Sequence, residues 1–431
     1  MSNRYMIFLI LVLAGCETST APVPPPVSEA CAQWPAGLMV GTSLSDELLD
    51  VVIDGQGRVY LAGYENGITG QATIDPSGNA RGIVLKYGRH GELLSKLSLN
   101  TTGASSVEAL ALNTQTNELF LAGRTNGALA GFTNHGQFDL LAGWLHTDEW
   151  LPHLAQFGDA RPQHPRRLVL GLSDELIIAG YDDLYVPTNY VEAWENPLLL
   201  KLARVGQDIV PVWEQSIDTI QSDIFNGLTV DSGTDGAIYV TGWNSAGAEQ
   251  GIAIARYDSQ GNKLWHRQLT GIGYDNGAAL QILPDGHLLF AGSTFAQLGA
   301  RSYGQMDIVV SKLDATTGNI LWTAQQGSSE TDWVTDMAVD ANGNIYVVGE
   351  TLGIVEPGNA NPDMSAVFLL KLDRSGNRIM AKQWGSAGTD YPTAVAVDAC
   401  ENVFITGYTT GDLAGASNGG RDGFIIPVAT Q

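Results

Sequence analysis

A chain of 431 residues with 46 acidic against 22 basic side chains carries a formal net charge of −24 at pH 7. That sign opposes a phosphate backbone and argues against nucleic acid as a partner, while it keeps a surface solvated. No stretch sustains the 3.6-residue apolar period that helical layers require, so the fold has to be built from strands.

Arg4 precedes an apolar run from Met6 to Ala14. The run is far below the ~20 residues of a spanning helix, so residues 1–15 read as a signal peptide. Leu13-Ala14-Gly15-Cys16 resembles a bacterial lipobox. The resemblance implies cleavage before Cys16 and acylation of its sulfur and its new amino group. Acyl chains contribute about 0.8 kcal/mol per buried methylene, so several of them hold a protein on a bilayer. No later segment is long and apolar enough to span one. Residues 16–32 form a tether, because Glu17 to Ala30 (ETSTAPVPPPVSEA) is rich in prolines that favour extended polyproline II. In enterobacterial lipoproteins an aspartate after the cysteine resembles an inner-membrane retention signal. Glu17 leaves sorting open, with the outer membrane as the default.

The rest, residues 33–431, repeats one motif. Its strongest copy, DYPTAVAVDACENVFITG, runs from Asp390 to Gly407. Seven copies end on Gly63, Gly123, Gly180, Gly242, Gly292, Gly349 and Gly407, spaced 50 to 62 residues apart. In the sixth copy Val334 to Val339 and Asn344 to Val348 are short β-branched and aromatic runs joined by Asp340-Ala341-Asn342-Gly343. Asn and Gly supply the positive φ of a tight turn and the aspartate accepts turn amides, which makes a β-hairpin. A second hairpin follows, Ala366 to Leu372 and Arg378 to Trp384, around Asp373-Arg374-Ser375-Gly376-Asn377. Four strands cannot bury both faces of their own sheet, so copies must pack on one another, and a ring leaves no end uncovered. The expected fold is all-β, a seven-bladed β-propeller of four-stranded antiparallel blades.

The copies, clearest at Ala394 to Gly407 and Met337 to Gly349, resemble the bacterial β-propeller repeat (SBBP-like) lipoprotein family, whose consensus reads V-A-V-D-x-x-G-N-V-Y-V-T-G. The resemblance implies the fold and little more, since a propeller carries many functions. The seventh copy runs out of residues: only Gly423 to Thr430 follows its first hairpin, enough for a third strand. Gln33 to Gly41 is therefore expected to return as the outer strand of the last blade, where Pro35 can dispense with a ladder amide. This topology brings Cys31 and Cys400 to one face, and in an exported protein it predicts a disulfide, typically worth about 2–4 kcal/mol.

On the opposite face an aspartate stands 17 residues before the anchor glycine at Asp46, Asp275, Asp332 and Asp390, with Asp223 displaced by an insertion. Recurrence favours a structural tie from each carboxylate to loop amides. The other reading is a carboxylate ring holding a hard cation such as Ca²⁺. The loop YDDLYVPTNYVEAWENP concentrates Tyr181, Tyr185, Tyr190 and Trp194 beside carboxylates. These aromatics suit a sugar or a basic peptide, or else they cover the third blade.

Other candidate chemistry fails on context. Gly415-Ala416-Ser417-Asn418-Gly419 matches a nucleophile elbow by letter only, since it lies between strands in a glycine-rich loop. His146, His153 and His164 read as scattered surface histidines. Leu313 to Trp322 (LDATTGNILW) resembles the tryptophan-docking repeat of quinone-dependent dehydrogenases and of a propeller lipoprotein of outer-membrane assembly. Those families repeat it in most blades, so here packing of Trp322 between blades is preferred. The functional expectation is a membrane-tethered, non-catalytic, monomeric binding scaffold of the cell envelope with no cofactor, its partner an envelope protein or glycan. The alternative is a metal- or quinone-dependent propeller enzyme, or an outer-membrane assembly factor-like lipoprotein.

Overall fold

The hairpins form where alternating apolar runs meet Asp-Asn-Gly turns. In the sixth blade, Asp332–Val339 and Ile345–Thr351 are joined by a turn in which Asp340 Oδ1 accepts the amides of Asn342 and Asn344 at 2.9 Å, and Gly343 takes φ 80°. Ala366–Leu372 and Arg378–Trp384 repeat the device with Asp373 and Gly376 at φ 84°. The last blade does the same with Asp398, although Glu401 occupies the positive-φ position at 61°. In the computed structural model the described residues are Trp34 and residues 37–67, 79–184, 194–216, 223–244, 251–269, 275–356 and 364–430.

They make seven four-stranded antiparallel sheets, the expected propeller. The innermost strands are Ser45–Ile53, Ser105–Asn113, Gln163–Leu170, Asp223–Val230, Asn276–Ile282, Asp332–Val339 and Asp390–Val397, in blades 1 to 7. Blade 7 closes as the truncated last copy requires. Leu38–Val40 pairs with Asp422–Ala429, Leu38 opposite Ile425 and Val40 opposite Gly423. The described closing strand is these three residues; Gln33 and Pro35 lie outside the described residues.

Apolar cores sit between neighbouring blades, one at each junction. The closing junction joins Leu48, Val51 and Leu61 of blade 1 to Ala394, Phe404 and Ile425 of blade 7. Trp34 seals it, edge-on to Phe404 at 5.2 Å and tilted on Tyr87 at 5.5 Å. Trp213, Trp265 and Trp322, on outer strands, lie against the turn glycines of the following blades. A Cβ built at Gly261, Gly318 or Gly376 would stand 3.2, 3.1 or 2.9 Å from their rings. Trp322 thus packs between blades 5 and 6, in line with the preferred reading of its motif.

The seven anchor glycines share one cause. A Cβ at Gly63, Gly123, Gly180, Gly242, Gly292, Gly349 or Gly407 would meet a carbonyl oxygen of the innermost strand at 1.8 to 2.3 Å. Beside each contact that strand carries a β-bulge. The extra residue pushes the innermost backbone onto its neighbour, and only glycine leaves room.

Candidate functional site

The bulges build the site. Their extra residues are Leu49, Glu108, Arg166, Asn226, Ala278, Thr335 and Thr393, one per blade. All seven line a central cavity of about 500 Å³. A bulge breaks the strict alternation of a strand and re-aims one side chain; here each re-aimed side chain faces the lumen. The positions are equivalent by the repeat, yet their chemistry is acidic, basic, amide, hydroxyl and aliphatic.

The residue after each anchor glycine is Tyr64, Arg124, Tyr181, Trp243, Ser293, Glu350 and Tyr408; Trp243 lines the cavity and Glu350 a cleft beside it, Tyr64 packs in an apolar cluster and Ser293 is fully buried. Each pairs across to, or one step from, Glu47, Ser106, His164, Ile224, Asn276, Trp333 and Tyr391 of the innermost strands. Tyr391 stacks on Tyr408 with centroids 5.4 Å apart, and Arg421 lies over Tyr408 at 4.6 Å while pairing with Glu47 at 2.5 Å. Trp333, Glu350, Leu352 and Tyr391 line a second cleft beside the lumen. Burial pushes the carboxyls of Glu47 and Glu350 up from the ordinary range, against the Arg421 bond in the first case and the Ser365 bond in the second. Burial also holds the Tyr391 phenol up at about 12, so it stays a neutral donor at physiological pH.

Blades 2 and 3 concentrate the charge. Glu108 accepts from Arg124 Nε at 3.0 Å and from Ser106 Oγ at 2.5 Å. His164 is 8% exposed, which corrects its reading as a surface histidine: it stacks on Tyr181 at 4.5 Å and 13°. Its two ring nitrogens face Arg124 and, at 3.1 Å, Asp183. Burial lowers its pKa despite the Asp183 bond, so the ring is neutral at pH 7. With both nitrogens engaged it has none left to take a proton from a ligand.

The floor is a charge cluster across the lumen. Arg167 of blade 3 donates to Thr335 carbonyl oxygen at 3.1 Å and to Asp336 Oδ1 at 3.3 Å in blade 6. Asp50 accepts the Leu110 amide of the next blade at 2.7 Å, and Asp336 accepts that of Val395 at 2.9 Å. Burial raises the Asp50 carboxyl to about 6, opposed by Arg167 and reinforced by Asp336.

The recurring aspartates behave as structural ties. Asp332 accepts Ser328 N at 2.6 Å and Thr351 Oγ1 at 2.5 Å; Asp390 accepts Ser386 N and Thr409 Oγ1, both at 2.5 Å. Asp46 accepts Thr42 N at 2.6 Å and Asn66 N at 3.0 Å, and Asp275 accepts Phe295 N at 2.7 Å. The Asp223 side chain lies outside the described residues. Among the described residues no three His, Cys, Asp or Glu side chains gather as a metal site. A second set, on third strands, was not read from the sequence: Asp139, Asp307 and Asp422, all 0% exposed. Gln156 and Gln325 donate to Asp139 and Asp307 at 2.8 and 2.7 Å, and their side-chain oxygens accept loop amides. The signal was an Asp 15 or 16 residues after the anchor glycine.

Of the aromatic loop, Tyr181 stacks on His164 and lies under Arg166 of the lumen ring. Tyr185 and Tyr190 lie outside the described residues, and Trp194 opens a third strand with its side chain outside the description. Cys400 is buried in the first turn of blade 7, while Cys16 and Cys31 lie outside the described residues. Ser417 Oγ donates to Asp422 at 2.8 Å within its loop, which fits turn chemistry and no nucleophile elbow.

This is a β-propeller of seven blades that carries the SBBP repeat: the beta-propeller repeat of that name matches residues 321–354 and 381–414. Regulatory protein FlaEY of Caulobacter vibrioides is 25% identical over 203 residues, covering 43% of this chain and 21% of that protein. An uncharacterized WD repeat-containing protein of Acanthamoeba polyphaga mimivirus is 27% identical over 117 residues, 22% of this chain and 8% of that protein. The chain therefore spans about a fifth of the first relative and under a tenth of the second. Among solved structures, YCF48 bound to a D1 peptide superposes with a TM-score of 0.46 at 12% identity, over 93% of this chain and 98% of that one. Sqt1 of Chaetomium thermophilum, bound to the N-terminus of a ribosomal protein, gives 0.45 at 11%, over 93% and 100%.

Proposed function

We propose that this propeller is a lipid-anchored, non-catalytic binding protein of the bacterial cell envelope, monomeric and held through Cys16, by default at the outer membrane. Residues 16–32 set the body off the lipid, and its partner is an envelope protein or glycan received at the channel mouth and the long loops around it. One observation carries the reading: seven positions made equivalent by the repeat hold Leu49, Glu108, Arg166, Asn226, Ala278, Thr335 and Thr393 around an open lumen. A position that served only the fold would be free to repeat one residue, as the anchor glycine does; individuality on a repeated scaffold marks recognition. A disulfide from Cys31 to Cys400 belongs to the same reading, since Cys400 is 8% exposed at the closing blade and its sulfur is not a free thiol.

Capture from envelope extracts tests the surface. Trp333→Ala with Leu352→Ala, at the mouth, is expected to weaken capture about ten-fold, as loss of an aromatic anchor does. Leu264→Ala with Ile320→Ala, exposed on outer strands at 51% and 47%, should leave it unchanged. Equal capture by the mouth variant overturns the assignment. Cys16→Ala should abolish lipid labelling and release the protein from membranes; unchanged labelling removes the anchor from the proposal.

A further inference from the structure

The lumen below the mouth has the size of a small-molecule site. Its volume of about 500 Å³ falls in the range of about 300–1,000 Å³ that such ligands occupy. Trp243, Trp333 and Tyr391 supply ring-sized apolar walls. Asn226, whose Nδ2 donates to Asn276 Oδ1 at 2.9 Å, is held with its amide at the wall.

Its two guanidiniums differ. Arg167 is engaged by Asp336. Arg166 stands at a bulge, open to the lumen, with its charge 5.4 Å from the Tyr181 ring. The carboxylate acting on it through space is Glu108, which is itself bound by Arg124 and Ser106. Among the described residues it thus faces the Tyr181 ring and makes no ion pair, which leaves its donors to the lumen, where an anion accepts the strongest hydrogen bonds. Arginine presents a planar fork that matches a carboxylate in two-point contact.

We infer that the central lumen binds a ring-bearing carboxylate, its carboxylate on Arg166 and its ring between Trp243, Trp333 and Tyr391. The ligand enters from the mouth and stops on the floor made by Arg167, Asp50 and Asp336. The ring is a sugar acid's or an aromatic acid's; the site's chemistry is common to both. This goes beyond partner capture at the mouth and does not depend on it.

Binding is measured on the purified full-length protein by calorimetry and by quenching of tryptophan fluorescence, since two tryptophans line the site. The probes are glucuronate against glucose, and indole-3-acetate against indole-3-acetamide. The expected result is that at least one acid binds ten-fold or more tighter than its neutral counterpart, and that Arg166→Gln removes this preference without shifting the melting temperature by more than a few degrees. The acid that binds identifies the ring. No binding by either acid, equal binding of the neutral counterparts, or wild-type preference in Arg166→Gln overturns the site. If Arg166→Gln fails to fold, Arg166→Lys keeps the charge and loses the fork. It should bind several-fold more weakly, and wild-type affinity in that variant overturns the contact. Because the probes act on purified protein, failure here leaves the capture experiment standing, and the reverse holds.

Discussion

Blades 6 and 7 and blades 2 and 3 share one fold and divide the labour. Blades 6 and 7 keep the repeat's buried ties: Asp332 and Asp390 each clamp their incoming loop and a threonine of the second strand. In blades 2 and 3 the equivalent positions are Ser105 and Gln163. Gln163 accepts only the Leu140 amide, at 3.2 Å, among its described bonds. Those same two blades supply Glu108, Arg124, His164, Arg166, Arg167 and Tyr181 to the lumen and its mouth. In these two blades departure from the repeat and chemical individuality at the lumen fall together.

The largest effect expected concerns what no blade can vary. Gly349→Ala would put a Cβ 2.0 Å from Trp333 carbonyl oxygen and 2.7 Å from the Phe368 ring. Backbone cannot yield as a side-chain tip can, so we expect a loss of about 3 kcal/mol or more. Gly180→Ala should cost the same, because its contact with His164 carbonyl oxygen at 2.1 Å is the same contact. A mild effect in blade 3 alone would show that its bulge is soft and would sharpen the difference between the blades. Next comes the clamp. Asp332→Ala strands the Ser328 amide and the Thr351 hydroxyl in a buried place, for about 2 kcal/mol, whereas Gln163→Ala frees one amide for about 1 kcal/mol. Equal losses in thermal or denaturant melts would mean that blade 3 is tied as firmly as blade 6.

Acidity gives the third test. Burial raises Asp50 and Asp332 from 3.8 to about 6. A raised carboxyl binds its proton more tightly in the native state, so between about pH 4 and pH 6 these groups add stability as pH falls and lose it as pH rises. The melting temperature should climb on going from pH 6.5 to 4.5, and less so in Asp50→Asn. Arg167→Met removes the cation that holds Asp50 down, so it should steepen the climb and destabilise more at pH 7 than at pH 5. An Arg167→Met loss that is independent of pH would dissolve the charge cluster across the lumen.

Much of the fold was legible because it obeys short periods. The anchor glycines, the Asp-Asn-Gly turns and the shortfall of the last copy each follow from local chemistry, and seven blades and a borrowed outer strand came from them. Part of the surroundings was readable in retrospect: Arg124, Tyr181, Trp243, Glu350 and Tyr408 simply follow the anchor glycines. The lumen ring was hidden for a physical reason. A bulge inserts one residue into a period of two, so parity counted from the glycine no longer tells which side chain faces the axis. Arg166 and Arg167 are neighbours, yet both line the lumen, an arrangement that regular alternation forbids. Aspartates 17 residues before the glycine were legible as ties by their recurrence, and Asp46, Asp275, Asp332 and Asp390 each accept an amide of a loop at their blade's edge.

The smallest expected effect is the sharpest test of that parity argument. Val334 and Thr335 are adjacent and nearly the same shape. Both border the lumen, but Val334 is 0% exposed and packs in the core between blades 5 and 6, while Thr335 is the bulged residue and half-buried. Val334→Thr puts a hydroxyl among apolar side chains and should cost about 1–2 kcal/mol. Thr335→Val gives up a long 3.4 Å contact from its hydroxyl to the Val348 carbonyl and should stay within about 0.5 kcal/mol of wild type, as expected of a position outside the packed core. Chemical denaturation of the two variants side by side measures the pair. If Thr335→Val costs as much as Val334→Thr, the bulged side chain is packed into the blade, and the seven ring positions are fold residues that happen to differ. If the asymmetry appears, the ring is free to vary, and the arginine at Arg166 is there for something other than holding the propeller shut.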